Sequence, residues 1–124
     1  MEVMNRSGRS ASSGKLVQSG PLTRGWLRIL RTALSRFGYK ESGYYASFHG
    51  DVKHRNFVQL NPVKNSIRLF TRLESSADSH LVVTPSTYRW ADYYPSLFTI
   101  RSEADLGIAA GLIEKSYKQD LLLP

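Results

Sequence analysis

RNFVQLNPVKNSIRLFTRL, residues 55–73, holds two alternating apolar and polar runs joined by a turn-rich Asn61, Pro62, Val63, Lys64, Asn65 and Ser66. A period of two is the mark of a half-buried strand, and two such runs around a short polar link predict a β-hairpin. Because side chains alternate across a strand, Ile67, Leu69 and Leu73 point one way and Arg68, Phe70 and Arg72 the other. The first set is the core face. The second set is expected to face solvent.

The same period extends outward from the hairpin. GYYASFHG (43–50), HLVVT (80–84) and SLFTIR (96–101) are further strand candidates, the last two separated by the loop PSTYRWADYYP. Short links between consecutive strands imply antiparallel pairing, because a parallel pair needs a crossover of a dozen or more residues. Only the last connection leaves the strand order open.

At both ends of the strand region the period becomes helical. In residues 22–37, Trp26, Leu30, Ala33 or Leu34, and Phe37 recur on one face, while Arg24, Arg28 and Arg31 fall at i, i+4, i+7 on another, with Gly38 as a natural C-cap. Residues 102–120 give a second helix, opened by a Ser102/Asp105 capping box and buried along Leu106, Ala109 or Ala110, Ile113 and Tyr117. Gly107 and Gly111 in it are expected to allow close approach to the sheet. The fold class is therefore α+β: an antiparallel sheet of about five strands flanked by an N-terminal and a C-terminal helix, both on one face.

A chain of 124 residues has room for one core, with a domain over 21–120, a flexible basic Ser/Gly-rich tail over 1–20 and a short tail over 121–124. Without cysteine there is no disulfide framework or thiolate zinc site, which suits a reducing cytosol and a cytoplasmic location. No apolar run approaches the roughly 20 residues of a membrane span, and the N-terminus lacks the apolar core of a secretory signal. The net charge of +7 is unevenly placed: residues 1–40 hold eight Lys/Arg against Glu2 alone, whereas residues 74–124 hold four against seven acids. Such asymmetry fits either a soluble surface or an electrostatic footprint on a polyanion.

The succession YYASF, NFVQLNPVKNSIRLFTRL and FTIRSEADLGIAAGLIEKSYK resembles a small uncharacterised bacterial domain found at the C-terminus of so-called predicted transport proteins and in some restriction-endonuclease-like proteins. The likeness spans roughly residues 27–119 and is one of fold positions: an aromatic strand, an F-V-x-x-x-P-x-K hairpin and an acid-capped final helix. Where that family has a short Gly-containing segment before the last strand, this chain has Thr87, Tyr88, Arg89, Trp90, Ala91, Asp92, Tyr93 and Tyr94.

No GxSxG, HExxH, P-loop or GxGxxG motif occurs, so no catalytic constellation and no cofactor is indicated. In HGDVKH (49–54), Asp51 and Lys53 could serve a divalent-metal nuclease with Glu41 as second carboxylate. His49, His54 and Asp51 or His80 match no common zinc spacing, and Gly50-Asp51 between two strand-like runs is more simply a turn. The leading reading is a small non-catalytic binding module for nucleic acid or another polyanion, through Arg24, Arg28 and Arg31 on the helix and Lys53, Arg55, Lys64, Arg68, Phe70 and Arg72 on the hairpin. Tyr88, Arg89, Trp90, Tyr93 and Tyr94 form an aromatic loop suited to base stacking or peptide docking, or to plugging the open end of the sheet. The alternative is a protein-interaction or accessory domain, with a protein partner or a second copy docking on that loop or on an open strand edge.

Overall fold

The computed structural model describes Leu16 and residues 18–124; the rest of the N-terminal tail lies outside the described residues. The chain runs α1 (Pro21–Ala33), β1 (Gly38–Ser42), β2 (Tyr45–His49), β3 (Asn56–Pro62), β4 (Ile67–Thr71), β5 (Val82–Val83), β6 (Ser96–Ile100) and α2 (Leu106–Leu122). All strands form one antiparallel sheet in the order β1-β2-β3-β4-β6-β5. The α+β architecture with a helix at each end is as expected, with six strands in place of about five.

The hairpin of residues 55–73 is the centre of the sheet, with Leu60 opposite Leu69 and Val58 opposite Thr71. Ile67, Leu69 and Leu73 are buried together with Phe48, Phe57, Val58, Leu60 and Ile100 beneath Trp26, Leu27, Leu30 and Leu34 of α1 and Ala109, Leu112 and Ile113 of α2. Each such aliphatic or aromatic side chain contributes about 1.5–3 kcal/mol when fully removed from water. A β-bulge at Phe48/His49 places Phe57 in this core beside Val58, breaking strict alternation at the start of β3.

Four expectations change. The first helix stops at Ala33 and Gly38 opens the unexpected strand β1, where a side-chain carbon would come within 2.1 Å of His49 Nε2. Val82 and Val83 form a two-residue edge, and the last strand, β6, inserts between β4 and β5. Gly107 and Gly111 meet nothing within 4 Å and face outward, so they do not bring α2 toward the sheet. At the ends, Leu16 is buried in the core and α2 continues to Leu122, so the ordered unit exceeds 21–120 in both directions.

The start of α1 is fastened to the hairpin turn. Thr23, fully buried, accepts a hydrogen bond from Gly20 N at 3.2 Å and donates to the Val63 carbonyl at 2.8 Å. Pro21 at the first helical position costs no hydrogen bond there. At the other end, Asp105 Oδ2 accepts from the Arg101 and Ser102 amides and caps the turn that leads into α2.

Candidate polyanion-binding groove on the first helix

The hairpin side bearing Arg68, Phe70 and Arg72 is not a solvated face. Phe70 has no exposed surface and forms a second core with Tyr94 and Leu97, covered by Tyr88, Trp90 and Tyr93. Tyr88 and Trp90 meet the Phe70 ring at 5.3 and 5.4 Å in edge-to-face contacts, and Trp90 meets Tyr45 at 5.2 Å. The aromatic loop thus covers the sheet face opposite the helices, rather than plugging an end; its rings are spent on one another and on Phe70, Tyr45 and Arg72, while Arg89 stays exposed.

The hairpin cations are likewise committed. Arg68 Nη1 donates to Asn61 Oδ1 at 3.0 Å. Arg72 Nε donates to Asp120 at 3.0 Å, its Nη1 donates to the Tyr93 carbonyl at 2.6 Å, and its guanidinium lies 3.7 Å over the Tyr93 ring. Arg55 Nε also donates to Asp120, at 3.0 Å, while its Nη groups reach the main-chain oxygens of Asp120, Leu123 and Pro124. Asp120 is 2% exposed, so these two arginines compensate a buried carboxylate, which in turn raises the Arg55 pKa. Ser116 completes the clasp, accepting from the Arg72 amide and donating to the Phe57 carbonyl. Lys53 Nζ donates to the Leu123 carbonyl at 3.0 Å. Of the hairpin cations only Lys64, exposed in the turn, stands near α1, with its Cγ 3.6 Å from where a side chain on Gly20 would begin.

The arginine stripe on α1 lies on the other side of the sheet, along the flank that overlooks β1. Arg24 donates to Glu41 at 3.0 Å, and Tyr39 donates its hydroxyl to the other oxygen of that carboxylate at 2.7 Å. Burial is the chief reason the Tyr39 phenol is pushed well above its ordinary value, with the Glu41 hydrogen bond adding to it. The Arg31 guanidinium lies 4.4 Å over the Tyr39 ring. Arg28 and Arg31 are exposed and take no carboxylate partner among the described residues. With Thr32, Ser35, Phe37 and Tyr39 they line a shallow groove of about 570 Å³. Tyr39 escaped the sequence reading because β1 did, and Ser35 because it lay within the stretch read as helix.

HGDVKH ends β2 at His49 and continues as a loop to β3 in which Asp51 and Lys53 are exposed and His54 takes a positive φ of 55°. Glu41, the carboxylate a nuclease site would borrow, is held by Arg24 and Tyr39 opposite Ala46, whereas His49 stands opposite Gly38 at the far end of that hairpin. His80 lies elsewhere, its Nδ1 2.7 Å from Asp78 Oδ1. Lys115 donates to the same carboxylate, and these bonds hold Asp78 far below the usual carboxylate range. Among the described residues no group of three or more His, Asp or Glu is placed to hold a metal ion.

No helix among the described residues is long and apolar enough to cross a membrane. Comparison of the chain with protein-family models, with curated proteins and with solved structures returns no match, which leaves the groove itself as the ground for a functional reading.

Proposed function

We propose that the protein is a non-catalytic binding module for the nucleic-acid backbone and that the α1 flank, rather than the hairpin, is its contact surface. The observation that supports this is the pair Arg28 and Arg31, exposed side by side over a groove and free of carboxylate partners among the described residues. A guanidinium presents a planar fork matched to phosphate oxygens, and such contacts are independent of sequence and weakened by salt. The +7 charge supplies the long-range attraction, and Lys64 adds a cation near the start of the helix. Anisotropy of a labelled oligonucleotide against the full chain at about 50 mM salt, then at rising salt, tests the reading. Saturable binding that Arg28→Ala/Arg31→Ala weakens is expected; no binding at low salt overturns it.

A second reading, docking of a protein partner, is favoured by the sheet edge at β5, where Val82 and Val83 are 58% and 68% exposed. A concentration-dependent rise in mass by light scattering, abolished by Val83→Lys and unaffected by nucleic acid, would favour it instead.

A further inference from the structure

We infer that the α1 groove recognises phosphate groups alone and makes no contact with bases, so its ligand class is any linear chain of phosphates, with or without nucleosides. This rests on the α1 flank being the contact surface. The rings that line the groove are the natural stacking platforms for bases, and they are already occupied. Arg31 lies over the Tyr39 ring at 4.4 Å, and the Phe48 ring packs against Tyr39 at 5.2 Å. Arg36, paired with Glu114, lies 4.3 Å over Phe37, whose ring also packs against Phe57 and Tyr117 at 4.9 Å each. A base entering here would have to displace a guanidinium from an aromatic face.

What remains open to a ligand is of one kind. Arg28 and Arg31 present N–H donors, and the exposed Ser35 presents a hydroxyl. Thr32 is less available, because its hydroxyl donates to the Arg28 carbonyl at 3.0 Å. Glu41, bonded to the groove residue Tyr39, has one oxygen on Arg24 and the other on Tyr39, so it presents no unpaired oxygen to repel an anion. Such a set matches the two non-bridging oxygens of a phosphodiester or a polyphosphate link and carries nothing that distinguishes adenine from thymine or ribose from deoxyribose. Stacking also fixes Arg31 in advance, so less side-chain freedom is lost when it binds.

The size of the effect follows from two free guanidiniums. Each phosphate contact contributes about 0.7 (single strand) to 0.9 (duplex) to the slope of log affinity against log salt, so removing both should flatten it by roughly 1.4–1.8. Competition is measured with the full chain and a labelled single-stranded deoxyoligonucleotide, using unlabelled dA, dT and rA homopolymers and long-chain inorganic polyphosphate as competitors. Expected are midpoints within about threefold of one another per phosphate, and at least tenfold weaker binding with the flatter slope for Arg28→Ala/Arg31→Ala. The basic tail is present in both proteins, so the difference isolates the groove. Arg28→Lys/Arg31→Lys, which keeps the charge and loses the forks, should retain most of the slope, and circular dichroism should match wild type. Displacement by oligonucleotides but not by polyphosphate, or a homopolymer preference beyond tenfold, overturns the inference and leaves the nucleic-acid reading standing. Direct binding of labelled polyphosphate without binding of any oligonucleotide overturns the nucleic-acid reading and, with it, the indifference of the groove to nucleosides. Unchanged affinity and slope in the double variant overturn both.

Discussion

The arginines of α1 and those beside the hairpin bring the same charge into two different settings. Arg55 and Arg72 converge on Asp120, a carboxylate 2% exposed, and Arg72 also caps the Tyr93 carbonyl. Arg28 and Arg31 sit on a helix whose buried side is filled by Trp26, Leu27 and Leu30, and both stay exposed without a carboxylate partner among the described residues, Arg31 with one face on the Tyr39 ring. A guanidinium that neutralises a buried acid is structural, and one whose donors are unspent is available to a ligand. Counting cations on a segment therefore overstates its binding surface; counting unspent donors does not.

The sharpest way to break this comparison is to open the hairpin side. Phe70→Ala should cost about 3–5 kcal/mol in urea unfolding, because the ring is fully buried beneath Tyr88, Trp90 and Tyr94. A loss below about 1 kcal/mol would mean that the face is open after all. Next, Asp120→Asn leaves two guanidiniums short of their shared charge and should cost about 3 kcal/mol, at the low end for a broken buried pair because Arg55 is 26% exposed.

The phenols sharpen the same contrast by pH. Burial raises Tyr39 and Tyr94 above their ordinary value of 10.0, so the fold favours their neutral forms. Stability from them is complete below pH 10.0 and falls as the pH rises beyond it, where the unfolded chain ionises first. Urea midpoints taken across that range should slope downward, and Tyr39→Phe should flatten the slope. Arg68→Ala, which loses one hydrogen bond to Asn61, should cost about 1 kcal/mol. Arg28→Ala should change stability by no more than about 0.5 kcal/mol while weakening oligonucleotide binding. If Arg28→Ala destabilised the protein as Asp120→Asn does, the two settings would not differ.

The elements of high periodicity were legible from residues alone. Ile67, Leu69 and Leu73 could be assigned to the core because a strand alternates, and Trp26, Leu30 and Phe37 because a helix repeats near every fourth residue, while the choice between Ala33 and Leu34 fell to Leu34 only in the structure. Strand β1 was not, since GYKES buries none of its residues fully and Gly38 serves equally well as a helix terminator in the one-dimensional pattern. The cover over Phe70 escaped for a different reason. Alternation says which side a residue faces, but whether residues 84–95 fold back over that side depends on contacts across 18 or more positions, such as Phe70 with Tyr88. Asp120 lies 48 residues from Arg72 and 65 from Arg55, so nothing local announced the clasp. For the groove, the stripe of Arg24, Arg28 and Arg31 was readable, while its floor of Phe37 and Tyr39 required the hairpin partner to place it.

The two tryptophans of this chain fall on opposite sides of the sheet, Trp26 under α1 and Trp90 in the aromatic cover. The molecule therefore carries one tryptophan per layer. Selectively excited tryptophan emission from a Trp26→Phe protein reports the cover, and that from a Trp90→Phe protein reports the helical layer. Coincident transitions would make the two layers one cooperative unit, and separated ones would make the aromatic cover a lid with its own melting point.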